Sequence, residues 1–212
     1  MEAGRSSITI GPKSGVRDID FDKSSKIEMD SLENCQPEMT ARDVIDLVQL
    51  FERNQIEVII DGGWAVDALL GEQTRPHEDL DIAMPHQYVP LARILLEVLG
   101  YRDVPRTDTQ DCNFVLGDVQ GHLIDFHTYT FDEQGNLVFG LPYPPASLNG
   151  LGWIDGYPVK CITPEWLVKF HTGYQFDEND YRDVKALCQH YGIQLPSEYL
   201  IINTRESKEL SE

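Results

Sequence analysis

Asp79 and Asp81 stand two residues apart in Asp79-Leu80-Asp81-Ile82, with apolar residues between and after them. In an extended strand, alternate side chains share a face. The two carboxylates then point one way, and Leu80, Ile82 and Met84 point the other. Side by side, two carboxylates raise each other's pKa. A divalent cation removes that penalty, and hard oxygen ligands at this density suit Mg2+. Upstream, the apolar run Ile56 to Ile60 ends at Asp61, and Gly62-Gly63 opens a short helical pattern. Glycine lets backbone approach a ligand, and the first amides of a helix face outward to an anion. Each signal alone is ordinary: a glycine pair is usually a tight turn, and D-x-D is usually a solvated strand edge. In the order strand, turn, helix, loop, strand they combine a phosphate cradle with cation-binding acids, which points to nucleotide chemistry.

A second acidic strand follows. In Leu123–Thr128 the residues Leu123, Asp125 and His127 share one face. From the strand alone, an outward-facing Asp125 at a sheet edge is slightly favoured, because a buried acid needs a partner. A lone strand histidine such as His127 is more often a hydrogen-bonded structural residue than a reacting one.

The wording GGWAVDALLG, then TRPHEDLDI, changes that balance. It resembles the nucleotidyltransferase superfamily that includes DNA polymerase beta. More closely, it is similar to the small antibiotic nucleotidyltransferases, namely the aminoglycoside 2''-adenylyltransferases and the lincosamide nucleotidyltransferases. Gly63 stands where many members of the superfamily have serine, and the gap to Asp79 is slightly long; both fit the antibiotic subgroup. The resemblance implies an α/β (α+β) nucleotidyltransferase fold, a mixed sheet flanked by helices. HTGYQFDENDYRDVKAL, resembling a lincosamide-enzyme segment, implies a small C-terminal helical lobe.

The implied reaction is Mg2+-dependent transfer of AMP from ATP, or another nucleoside triphosphate, to a hydroxyl of a small acceptor. A lincosamide or an aminoglycoside is the acceptor the resemblance indicates. Asp79 and Asp81 are then metal ligands. Asp125 completes the carboxylate cluster and either ligates metal or takes the hydroxyl proton. Gly62 and Gly63 bind the triphosphate through backbone amides. Arg75 pairs with a phosphate, its rival role being a loop arginine bound to a surface acid. His127 is an acceptor-site candidate, since lincosamide enzymes carry a similar D-x-H. Two alternatives stand beside this reading: the same chemistry on a cellular metabolite or protein, and a non-catalytic nucleotide-binding module. The second predicts a missing acid, whereas all three are present. Dimers occur among the relatives, which leaves a homodimer open.

The elements that position these residues are legible in outline. Thr40 caps a helix with Asp43 three residues on, and Val44, Leu47, Val48 and Phe51 fall on one face. A strand over Glu57–Ile60 leads into the glycine turn. Gly71 stops the short helix, on which Trp64 packs against the sheet and Asp67 reads as a surface residue. Pro85 ends the acidic strand, Val89–Leu99 forms a helix stopped by Gly100, and a short strand is predicted at Tyr101–Val104. Asn113–Leu116 pairs with Leu123–Thr128 across a turn at Asp118–Gly121. Gly140–Gly152 reads as a long surface loop bordering the acceptor. A hairpin spans Trp153 to Ile162, and helices begin at Pro164 and near Asp180. The acids Asp177, Glu178, Asp180 and Asp183 read as a helix cap, and Lys169 as a solvated lysine.

These elements divide into an extension over 1–39, disordered or loosely attached with a short strand at Ser7–Ile10, a nucleotidyltransferase domain over 40–162, and a helical lobe and tail over 163–212. The 212 residues carry a net charge of −19 with 41% hydrophobic content. Such acidity argues against a nucleic-acid partner and is compatible with a cationic acceptor. With neither a membrane span nor a signal-peptide core, a cytoplasmic protein is expected. The four cysteines, irregularly spaced, are expected to be reduced core thiols.

Overall fold

The computed structural model describes residues 37–200. The expected extension up to residue 36, its strand at Ser7–Ile10, Cys35 and the last residues of the tail lie outside this range; at the extension's end Met39 is buried and its amide donates to the His77 carbonyl at 2.8 Å. Helix α1, Ala41–Arg53, begins with a full capping box: the Asp43 amide donates to Thr40 Oγ1, and the Thr40 amide to Asp43 Oδ2 at 3.0 Å. Its buried face carries Val44, Leu47, Val48 and Phe51, as the spacing predicts.

Strand β1 is shorter than expected, Ile59–Ile60; Glu57 lies before it and pairs with Lys160 at the surface. Helix α2, Gly62–Leu70, is capped by Asp61 and stopped by Gly71 in the left-handed conformation. Strand β2 runs Asp79–Pro85, and helix α3 runs Val89–Val98. Strands β3, Arg102–Val104, β4, Asn113–Gly117, and β5, Leu123–Phe131, form an antiparallel set.

Leu137–Gly140 is a strand, β6, paired with the far end of β5. The segment from Gly140 to Gly152, expected as one long loop, is more ordered than its proline and glycine content suggests. Pro145–Asn149 is a 3-10 turn, and Gly150–Ile154 is already strand β7. Gly140 is required there, since a Cβ would lie 2.0 Å from the Thr128 carbonyl oxygen at a φ of +97°. Strand β8, Tyr157–Cys161, completes the hairpin with β7.

The sheet order is β3-β4-β5-β2-β1-β8-β7, with β6 on β5. Pairs β2–β5 and β1–β8 are parallel and the remainder antiparallel, so the sheet is mixed. The two-residue β1 is an interior strand beside the central β2, fully buried, and delivers the chain directly into the glycine turn.

Helices α4, Pro164–Phe170, and α5, Glu178–Tyr191, pack on α2. The Tyr191 hydroxyl donates to the Leu69 carbonyl at 2.7 Å. Asp177 and Asp180 form a capping box at the start of α5, the role expected for them. Lys169 Nζ lies 4.2 Å over the Trp166 ring, a cation–π contact instead of full solvation. Cys112, Cys161 and Cys188 are free thiols.

Candidate active site

The site is made by register. In the parallel pair β2–β5, Asp81 stands opposite Asp125, Asp79 opposite Leu123, and Ala83 opposite His127. Alternation then puts Asp79, Asp81, Asp125 and His127 on one face while Leu80, Ile82, Ile124 and Phe126 are buried on the other. Asp125 is on a central strand, not the sheet edge. Ligand atoms of Asp81, Asp125 and His127 come within 4.8 Å of one another. Asp79 shares their face, two residues before Asp81, outside that tightest set.

The glycine turn meets this face directly. The Asp61 amide donates to the Asp81 carbonyl at 2.9 Å, which brings the start of α2 over β2. A Cβ on Gly62 would lie 2.0 Å from Asp81 Oδ2, and its φ is +56°. Gly63 opens elsewhere: its Cβ would meet the Arg75 guanidinium at 2.5 Å and the His77 ring at 2.6 Å. One glycine thus admits a carboxylate, and the other admits the loop that carries Arg75.

That loop is anchored by a residue read from sequence as surface. Asp67 is 2% exposed. It accepts from the Thr74 amide at 3.0 Å, from the Thr74 hydroxyl at 2.6 Å, and pairs with His77 Nε2 at 2.5 Å. Asp67 falls on the inner face of a helix apolar almost all round, so no polar stripe marks it as internal. Arg75 itself pairs with Asp183 of α5 at 3.0 Å, an acid only 5% exposed. The guanidinium sits beside Gly63 and joins α5 to the turn.

Three contributors escape the sequence. Asp61, 8% exposed, is both the cap of α2 and part of the site. Tyr143, from the segment expected as loop, donates its hydroxyl to Asp61 Oδ2 at 2.5 Å and lies 3.2 Å from His127 Nδ1. His127 then stands between acids, 3.8 Å from Asp61 Oδ2 and 3.6 Å from Asp125 Oδ1. Arg106, on the loop between β3 and β4, reaches Asp125 Oδ2 at 3.3 Å. The available signal for Asp61 was its place before the glycines; nothing local marks Tyr143 or Arg106.

The electrostatics follow from crowding. Burial pushes the Asp81 carboxyl up to about 8, and the Asp79 charge adds to it. Asp125 is raised by burial, opposed by His127 and Arg106. Burial disfavours protonated His127, yet Asp61 and Asp81 outweigh it and bring the imidazole up to about 9. Asp61 is held below its ordinary value, since its His127 and Tyr143 partners outweigh its burial. Asp125 Oδ1 is buried with no hydrogen-bond partner. A cluster that strains to ionise, with one carboxylate oxygen unsatisfied, fits a bound divalent cation. A pocket of about 250 Å³ adjoins it, lined by Asp61, His127, Leu141, Pro142, Tyr143 and Phe170 and walled mainly by apolar atoms.

A mixed sheet that presents acids from two adjacent strands to a glycine-led helix defines a nucleotidyltransferase. Solved structures agree on the fold. The lincosamide antibiotic adenylyltransferase LnuA, crystallised with lincomycin, superposes with a TM-score of 0.64 at 24% identity, over 74% of this chain and 100% of that one. The enzyme ANT(2'')-Ia, in complex with adenylyl-2''-tobramycin, gives 0.61 at 19% identity, over 80% of this chain and 98% of that one. The family model for aminoglycoside-2''-adenylyltransferase matches residues 43–187, and the chain belongs to that family. A lincosamide resistance protein of Staphylococcus haemolyticus is 27% identical over 154 residues, covering 70% of this chain and 94% of the relative. A 2''-aminoglycoside nucleotidyltransferase of Klebsiella pneumoniae is 31% identical over 117 residues, covering 55% of this chain and 63% of the relative. A nucleotide is accordingly the co-substrate. Among the described residues, no helix is long and apolar enough to cross a membrane.

Proposed function

We propose that this enzyme transfers AMP from ATP to a hydroxyl of a small antibiotic, a lincosamide or an aminoglycoside, with Mg2+. The observation that carries the proposal is the pairing of Asp81 with Asp125 across parallel strands, directly before Gly62. Asp79, Asp81 and Asp125 would hold the metal, which when bound supplies charge neutralisation for the phosphates. The Gly62 amide, expected to bind the triphosphate, donates instead to Asp61 Oδ1 at 2.8 Å. The Gly63 and Trp64 amides belong to the first turn of α2, where no acceptor exists within the helix, and they suit a phosphate. Arg75, already beside Gly63, offers a planar fork to the same anion.

The acceptor oxygen attacks the α-phosphorus, and the bond from that phosphorus to the bridging oxygen breaks. Pyrophosphate leaves with the bonding pair. Asp125 takes the hydroxyl proton, its Oδ1 being free of other hydrogen bonds. His127, Tyr143 and Asp61 wall the acceptor side and hold one another in place. Leu141, Pro142 and Phe170 make that wall mainly apolar. An acceptor with an apolar flank and a single ammonium gains more there than a polycation whose several charges would need acids, so a lincosamide is the preferred class.

The test is incubation with ATP, Mg2+ and a panel of lincosamides and aminoglycosides, followed by mass spectrometry. A mass gain of one AMP on an antibiotic is expected. Absence of product across the panel overturns the proposal.

A further inference from the structure

We propose that Arg106 is a ligand of the nucleotide phosphates, parked on Asp125 until nucleotide arrives. The inference rests on the reaction proposed above and adds a residue to it.

Among the described residues, Arg106 is the one Lys or Arg that pairs with an acid of the cluster. Asp61, Asp79, Asp81 and Asp125 crowd one face, and a triphosphate would add several more negative charges. Divalent metal offsets part of this, and the protein must supply the rest. Arg75, proposed above for the same anion, has part of its fork already engaged at 3.0 Å by Asp183, a buried partner. Lys169 is held over Trp166.

Arg106 is bound differently at its two ends. Its backbone is fixed by a small turn: the Arg106 amide donates to Thr109 Oγ1 at 2.9 Å, and the Thr109 amide donates to the Arg106 carbonyl at 3.3 Å. Its side chain is 39% exposed and makes one long hydrogen bond, 3.3 Å, to Asp125 Oδ2. A guanidinium has five donors in a fixed fork that matches phosphate oxygens. A single long contact leaves most of them available. The same carboxylate is needed by the metal and the acceptor hydroxyl, so Asp125 cannot serve them while it serves Arg106. Exchange of Arg106 from Asp125 to phosphate satisfies both groups without moving the backbone.

Calorimetric binding of α,β-methylene-ATP with Mg2+ tests this, because that analogue cannot transfer AMP. R106A is expected to weaken the analogue roughly ten- to a hundred-fold, and R106K to recover part of the loss. Mg2+ alone should bind R106A no more weakly than the parent, since a competitor for Asp125 is gone. Lincosamide affinity and melting temperature should be unchanged. If R106A binds the analogue as well as the parent and only its turnover falls, Arg106 acts through Asp125 and the assignment is wrong. A parent protein that fails to bind the analogue overturns both this inference and the proposed reaction. A parent that binds it, weakened by R106A, yet modifies no antibiotic leaves Arg106 assigned and overturns only the acceptor.

Discussion

The Tyr143 hydroxyl donates to Asp61 at 2.5 Å across 82 positions of sequence, tying the segment after β6 to the residue that caps α2. Both groups are buried, with Tyr143 at 6% and Asp61 at 8% exposure. Y143F leaves the ring and removes the donor, so a buried carboxylate loses its shortest partner. Such a loss costs about 1–3 kcal/mol. Urea denaturation at neutral pH should show that decrease. Combined with D61N, the loss should be less than the sum of the single changes, because each removes the same bond. Additive effects would mean that the two side chains are not coupled.

Gly62 and Gly71 both have positive φ, yet they predict different outcomes. At Gly71 nothing lies within 4 Å of an added Cβ, so G71A should cost only about 1 kcal/mol from backbone strain. At Gly62 the Cβ would fall 2.0 Å from Asp81 Oδ2. G62A should displace that carboxylate and reduce AMP transfer at least about a hundred-fold, as misplacement by an ångström does. Equal activity of the two variants would remove Gly62 from the site.

How much of this could be read from the chain alone varies with the range of the interaction. The alternation of Asp79 and Asp81 with Leu80 and Ile82 is local, and β2 realises it. The caps at Thr40 and Gly71 are local too: Thr40 starts its helix and Gly71 stops one, as expected. Asp125 was ambiguous because its face depends on which strand lies beside β5, and only the parallel pairing with β2 settles that. Tyr143 sat among prolines, where composition signals a loop and says nothing of an acid 82 residues away. Asp67 reads as a surface residue because helix α2 is buried nearly all round, so a polar residue in it has no marked outer stripe. Local sequence leaves Arg75 between phosphate and acid; its acid, Asp183, comes from a helix 108 residues later.

The raised values at Asp81 and His127 set a pH dependence for the metal-free protein. Asp81 goes to about 8 and His127 to about 9, both above their unfolded values of 3.8 and 6.5. The native state therefore holds more protons than the unfolded chain, and stability falls as pH rises. The His127 contribution is complete below 6.5 and gone once pH passes its folded value. The Asp81 cost grows from 3.8 to its folded value. In EDTA, the melting temperature should decline from about pH 6 to about pH 9. Mg2+ with nucleotide should flatten that decline, since a cation favours the ionised acids. A metal-free protein whose melting temperature is level or rises over this range would contradict the electrostatic account.

Asp81 also predicts an opposition between stability and activity. Its carboxyl is pushed up by burial and by Asp79, so without metal the neutral form suits the fold better. Asn has nearly the same shape and no charge to bury. D81N should therefore raise the melting temperature of the metal-free protein at pH 8, by the equivalent of about 0.5–2 kcal/mol. The same variant should lose AMP transfer, because an amide is a poor substitute for an anionic ligand of a hard cation. D183N makes the contrast. Asp183 is also buried, but Arg75, its side chain 24% exposed, gives it a partner, and losing that charge-assisted bond destabilises by about 1–3 kcal/mol. Two Asp-to-Asn changes of the same chemistry should thus shift stability in opposite directions. Scanning calorimetry in EDTA measures both, and a destabilised D81N would show that Asp81 is held ionised by something other than metal.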